Sequence, residues 1–171
     1  KKVDLVFQGG GVKGIALVGA LSVLEERGYE VQRLGGTSAG GIVATLYAAG
    51  YTATELRKVI GNLNFSDFMD KGWEDHIPFL GKPVSILKDQ GIYEGGALEK
   101  KMRELLEAKG VRTFYDLRSN DPDSPWKHRV QVVVSDITLG EHLVLPRDAH
   151  KLGIDANDLD VATALRMTST I

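Results

Sequence analysis

The sequence predicts a layered α/β domain. Three observations carry that prediction: a β-prone apolar run that stops at three consecutive glycines, a second glycine-rich segment between an apolar run and a helix, and a valine-rich run with the composition of a central strand. At 171 residues, 43% apolar and 26% charged, the chain fits one core and buries roughly two thirds of its extended surface without staples. No internal repeat, heptad or low-complexity tract argues otherwise. The sequence contains no cysteine, which excludes disulfides, thiolate metal sites and a cysteine nucleophile. Lys and Arg total 21 against 23 Asp and Glu, a formal charge of -2, so no global basic field exists to attract nucleic acid or an anionic membrane.

Val3, Leu5, Val6 and Phe7 form the first strand, ended by Gly9-Gly10-Gly11. Ile15 to Arg27 reads as a helix with Gly28 at C′; Leu17, Ala20, Leu21 and Leu24 share a face, and Val18 and Val23 imply a broader buried surface, as on a helix that covers a sheet. Val31 to Leu34 is a second strand weakened by Gln32 and Arg33, followed by Gly35 to Gly41 and an apolar helix from Ile42 to Ala49 that stops at Gly50. Thr52-Ala53-Thr54-Glu55 is a capping box opening a helix that ends near Gly61.

Periodicity fails from Leu63 to Ile92, where large apolar side chains are scattered among glycines, prolines and charges. Such a segment is either a packed loop or the wall of an apolar pocket. Leu98, Met102, Leu105 and Leu106 restore the helical period from about Gly96 to Lys109, with Gly110 as the stop. Ser119 to Lys127 is a surface loop, Val130 to Val134 the central strand, and Glu141 to Leu145 its hairpin partner beyond Gly140. Asn157 or Asp158 is placed to cap a last helix carrying Val161, Ala164 and Leu165.

Gly36-Thr37-Ser38-Ala39-Gly40 has the G-x-S-x-G form between a strand and a helix, the context of a nucleophile elbow. There the serine holds a strained conformation that projects its hydroxyl, Gly36 and Gly40 remove Cβ atoms that would collide, and Ala39 adds little bulk. Unpaired amides at the helix start face the negative charge of an acyl-transfer transition state. The plain alternative is a glycine turn in which Ser38 caps the helix. Gly9-Gly10-Gly11-Val12-Lys13-Gly14, at a strand end, supplies consecutive side-chain-free amides that suit an oxyanion hole. Lys13 braces that loop, attracts a phosphate-bearing substrate, or is simply solvated.

A P-loop is disfavoured, because Lys13 precedes Gly14 and Ile15 rather than a hydroxyl residue. Gly9, Gly11 and Gly14 match a dinucleotide fingerprint, with Glu30 near the place of a ribose acid, but that reading leaves the Ser38 segment unexplained. No base for Ser38 stands out. His76, His128, His142 and His150 lack a motif and read as structural or surface groups, and Asp148, Asp155, Asp158 and Asp160 are no sharper. Asp136, at the end of the valine strand, reads as a partner for loop amides.

The order of these elements resembles the patatin-like phospholipase family, bacterial members especially, over essentially the whole chain. The resemblance rests on Val6 to Gly14, Leu34 to Gly40, Gly91 to Gly95, Val134 to Gly140 and Ala164 to Ile171, with 27 positions separating Gly11 from Ser38. It implies a layered α/β/α fold with a central, mainly parallel sheet, related in elbow geometry to α/β-hydrolases. It implies Ser38 as nucleophile, Gly9, Gly10 and Gly11 as oxyanion hole, and Val12, Lys13, Gly14, Gly36, Thr37, Ala39 and Gly40 as motif support. It also implies a Ser-Asp dyad whose aspartate sits in an Asp-Gly-Gly or Asp-Gly-Ala motif beyond the segment like Thr168 to Ile171. The sequence contains no Asp-Gly pair.

The expectation is therefore a serine-dependent lipid acyl hydrolase that cleaves phospholipid or other fatty-acyl esters through an acyl-serine, without metal or organic cofactor. Phe65, Phe68, Trp73, Phe79 and Leu87 are candidates for an acyl channel or lid, with core packing as the alternative for each. Residues 1–171 are expected to form one patatin-like domain, incomplete on the C-terminal side and inactive alone for want of the dyad aspartate. The lack of an initiator Met and of a final helix stop point to extension at both ends. An acyltransferase, an inactive binding fragment and, less favoured, a dinucleotide-binding domain are the alternatives. No apolar run approaches the roughly 18 residues of a membrane span, and Asp4 interrupts any signal-peptide core. The expected setting is cytoplasmic or that of a secreted effector, peripheral at a membrane or micelle surface, with no nucleic-acid partner and an open oligomeric state.

Overall fold

The computed structural model describes residues 1–63, 90–121, 123–138 and 140–169. Among them lie the strands β1 (Lys2–Phe7), β2 (Glu30–Thr37), β3 (Val130–Asp136) and β4 (Glu141–Leu145). The helices are α1 (Gly14–Glu26), α2 (Ala39–Ala48), α3 (Ala53–Asn62), α4 (Gln90–Glu107) and α5 (Val161–Ser169). The strands form one sheet in the order β1-β2-β3-β4. β1, β2 and β3 run parallel, and β4 returns antiparallel as the expected hairpin partner, pairing Val134 with Leu143 and Ser135 with His142.

The layering follows from the pleat. Val130, Val132 and Val134 are buried on one face of β3, while Gln131 and Val133 turn to the other and are only half-buried. Against the first face lies α2, apolar almost all round, with every residue buried except Tyr47. It packs on β1, β2 and β3 and is flanked by α1, α3 and α5. Leu21, Leu34, Leu46, Leu56, Met102, Leu106, Phe114, Leu143, Leu145 and Leu165 are the large side chains of this core.

Most element boundaries agree with the sequence reading, and the exceptions have physical causes. β2 continues through Gly35, Gly36 and Thr37, because it is paired on both sides, to Val6 and Phe7 on β1 and to Gln131, Val132 and Val133 on β3. Ladder bonds on two edges outweigh the low strand propensity of glycine. α2 starts at Ala39, three residues ahead of the expected Ile42. α4 starts at Gln90 rather than near Gly96; a helical glycine costs only about 1 kcal/mol relative to alanine, a penalty the helix carries at Gly91, Gly95 and Gly96.

The broad buried surface expected of α1 is corrected. Val18 and Leu21 are buried, but Val23 is 45% exposed and Ala20 also faces outward, so the helix covers the core with a stripe. The cap of α5 is neither Asn157 nor Asp158. The Asp160 carboxylate accepts from the Thr163 amide at 2.9 Å and pairs with Arg103 of α4. Burial pushes the Asp160 carboxyl up, but the Arg103 guanidinium and the Thr163 amide outweigh it and leave the group below its usual range. The Thr52–Glu55 capping box is present in both directions.

Candidate active site

β2 and α2 meet at Ser38 with almost no loop between them. Ser38 has φ 50° and ψ −130°, the one positive φ at a non-glycine residue among the described residues. Its side chain makes no capping bond to α2, so the helix-cap alternative fails. The helix begins instead with the Ile42 amide donating to the Ser38 carbonyl at 3.0 Å. The amides of Ala39, Gly40 and Gly41 therefore precede the first intrahelical donor, that of Ile42, and face out of the helix start.

The flanking glycines are required by contact. A Cβ on Gly36 would sit 2.5 Å from the Gly40 carbonyl, and one on Gly40 would run into the carbonyls of Phe7 and Gln8, the latter at 2.7 Å. No side chain fits either gap. The same close approach brings the end of β1 to the serine: a Cβ on Gly9 would lie 3.2 Å from the Ser38 Cβ. Gly11 holds φ 53° at the start of a short 3-10 turn, Gly11–Lys13, in which the Lys13 amide donates to the Gly10 carbonyl at 3.1 Å. Lys13 is exposed, with its side chain running along Gly10. The structure thus brings Gly9, Gly36, Ser38, Ala39 and Gly40 together, with Gly10, Gly11, Lys13 and Gly14 in the adjoining turn.

One contact at the elbow has no counterpart in the sequence motifs. The Ser38 amide donates to the Thr168 hydroxyl at 2.9 Å, and that hydroxyl donates to the Val133 carbonyl at 2.5 Å. Thr168 lies in one of the segments that carry the family resemblance, where the motif assigns it no role of its own. Its partners are distant in sequence, so nothing local signals the contact.

The histidines within the described residues bond elsewhere. His128 is buried edge-on to Phe114, with Nε2 3.2 Å from the Asn157 side-chain oxygen, and burial lowers its pKa. His142 Nδ1 lies 3.4 Å from Ser135 Oγ, and His150 Nδ1 lies 3.3 Å from the Arg147 carbonyl. Asp136 accepts from the Thr138 amide at 2.8 Å, the loop-bracing role expected of it. Asp148 is held at about 2 by Arg147 and by the Val144 amide, a structural ion pair. Among the described residues no group of three His, Asp or Glu converges as metal ligands would. On the sheet face away from α2, a largely apolar cleft of about 610 Å³ runs from Gln8 and Thr37 over Val6, Val133 and Val144 to Trp126 and His142. Phe65, Phe68, Trp73, Phe79 and Leu87, the channel or lid candidates, lie outside the described residues, as does His76. No helix among the described residues is long and apolar enough to cross a membrane.

The chain is similar to several known proteins. The uncharacterized protein YqhO of Bacillus subtilis is 40% identical over 169 residues, 99% of this chain and 55% of YqhO. The chain therefore spans about half the length of that relative. Lysophospholipase NTE1 of Coccidioides immitis is 48% identical over 48 residues, 28% of this chain and 3% of that protein. Among solved structures, the complex of SpcU with ExoU from the type III secretion system of Pseudomonas aeruginosa superposes with a TM-score of 0.67 at 20% identity, covering 99% of this chain and 38% of the matched one. VipD from Legionella pneumophila gives 0.52 at 17% identity, covering 95% of this chain and 41% of that one. These two likenesses show a shared fold. The model of the family described as patatin-like phospholipase matches residues 5–171, so that both glycine segments and everything between them fall within one match, and the chain belongs to that family.

Proposed function

We propose that this chain carries the nucleophile and oxyanion-binding elements of a serine-dependent lipid acyl hydrolase of the phospholipase A type. The observation that carries the reading is the conformation of Ser38, held at positive φ between two glycines that no side chain can replace. Family membership supports it, since it accounts for both glycine segments where a dinucleotide site accounts for one.

In this reading Ser38 Oγ attacks the carbonyl carbon of a fatty-acyl ester and its proton passes to a carboxylate base. The amides of the Gly9 to Gly11 turn, together with those at the start of α2, hold the oxyanion. Collapse of the intermediate expels the alcohol, which takes the proton, and water then releases the fatty acid from the acyl-serine. The base is an aspartate of an Asp-Gly-Gly or Asp-Gly-Ala segment. Because the sequence contains no Asp-Gly pair, the reading places that group on polypeptide outside these 171 residues, completing the domain they begin. The substrate is a phospholipid or related ester met at a membrane or micelle surface.

The test is covalent labelling of a longer polypeptide that includes such a segment. A fluorophosphonate is expected to modify Ser38 once, and Ser38→Ala to abolish both labelling and fatty-acid release. Label on another residue of an active preparation, with Ser38 untouched, overturns the assignment. Residues 1–171 alone are expected to release no fatty acid at matched folded concentration, and equal activity of the two forms overturns the missing-base argument.

A further inference from the structure

The contact between Thr168 and Ser38 has a consequence for the site beyond packing. Among the described residues Thr168 is one of few buried polar side chains, 1% exposed, and a threonine in a helix ordinarily returns its hydroxyl to a carbonyl one turn back. Here the hydroxyl of α5 instead reaches across to β3, donating to the Val133 carbonyl at 2.5 Å, and accepts from the Ser38 amide at 2.9 Å. Val133 is paired in register with Thr37, the residue before the serine. The bridge thus joins the elbow to the neighbouring strand β3.

We propose that Thr168 is a positioning residue for the nucleophile, an inference that rests on the reading of Ser38 given above. Ser38 sits in a conformation disfavoured for any residue with a side chain. Relaxing to helical angles would swing its amide off the Thr168 hydroxyl and add a residue to α2, turning Oγ away from the strand ends. The buried hydroxyl opposes that relaxation, because it offers an acceptor only to the strained form and is itself fixed by Val133. It also occupies the Ser38 amide, which leaves the oxyanion to the glycine turn and the first amides of α2. α5 is held in turn by its ion pairs to α4, Asp160 with Arg103 and Arg166 with Glu99 at 3.0 Å. The methyl group packs separately, with Thr168 Cγ2 3.3 Å from where a Cβ on Gly41 would be, against α2.

Hydroxyl and methyl can therefore be removed one at a time in the longer polypeptide. Thr168→Val keeps the shape and loses the bridge. It is expected to slow both fluorophosphonate labelling of Ser38 and kcat on a short-chain ester by about ten- to a hundredfold, with KM within about threefold. Thr168→Ser keeps the bridge and is expected to stay within about threefold of wild type. Hydrogen exchange of the Ser38 amide supplies a readout independent of catalysis: slow in wild type and Thr168→Ser, at least about tenfold faster in Thr168→Val. Labelling and kcat unchanged in a folded Thr168→Val overturn the positioning role while leaving the nucleophile reading intact. A wild-type Ser38 that takes no label overturns that reading and the role of Thr168 with it. Should Thr168→Val not fold, fast exchange of the Ser38 amide in wild type overturns the bridge, and slow exchange together with wild-type labelling in Thr168→Ser supports it.

Discussion

Gly40 lies so near Phe7 that the first turn of α2 and the end of β1 meet backbone to backbone, with no room for one methyl group between them. Gly40→Ala is therefore expected to destabilise the fold by about 2 kcal/mol or more, the scale of an overpacked core. Gly35→Ala, one strand residue before Gly36, meets only ordinary contacts, the nearest at 3.7 Å to Val6, and is expected to cost under about 1 kcal/mol. Denaturant titration of the two variants decides it. Equal losses would mean that the approach of α2 to β1 is not the constraint.

Ser38 supplies a stability prediction opposite in sign to its activity. Its φ of 50° is carried without strain only by glycine, so Ser38→Gly is expected to be more stable than Ser38→Ala by about 1 kcal/mol, while both are inert toward esters. Thermal unfolding of the pair checks this. An alanine variant at least as stable as the glycine variant would show that the elbow stores no strain.

Gly11, at φ 53°, is another position where the backbone sets the residue. Gly11→Ala is expected to cost about 1 kcal/mol in stability for the left-handed conformation and to lower kcat by tenfold or more as the turn amides rotate, with a smaller change in KM. Circular dichroism and steady-state kinetics on the same preparation separate the two effects. A folded variant with unaltered kcat removes Gly11 from the oxyanion assignment.

The acid limb of stability has a specific contributor in Asp148. Its carboxyl titrates at about 2 in the folded chain, below the ordinary 3.8, because Arg147 and the Val144 amide bond the charged form. A depressed folded pKa adds stability that is complete above the unfolded value and disappears as pH falls through the folded one. Asp148→Asn is expected to lose roughly 1 kcal/mol at pH 6, given the exposure of Arg147, and to converge on wild type between about pH 4 and pH 2. Chemical denaturation across that range checks the convergence. A gap that persists at pH 2 would assign the loss to packing rather than charge.

What the sequence made legible was local. The glycines around Ser38, the capping box at Thr52 and the β3–β4 hairpin are specified by neighbours within a few residues, and the structure has them where the spacing implied. Extensions that depend on a partner were not legible. β2 runs three residues past Leu34 because β1 and β3 hold both its edges, and α4 starts six residues early despite Gly91, Gly95 and Gly96. Asp160 was missed as the cap of α5 because its main partner, Arg103, lies on another helix. The contact of Thr168 with Ser38 spans 130 positions and involves a main-chain amide, which leaves no trace in residue spacing.

That separation also orders the making of the protein. During synthesis β1, α1, β2 and α2 leave the ribosome first, and they contain the close contacts of Gly9, Gly36 and Gly40 that shape the elbow. The hydroxyl that fixes the serine arrives with α5, after more than a hundred further residues. A nascent chain thus displays the scaffold of the elbow long before its anchor, and the serine reaches its final geometry only when α5 docks. Vectorial synthesis thus leaves Ser38 without its distant hydrogen-bond acceptor until α5 has been made.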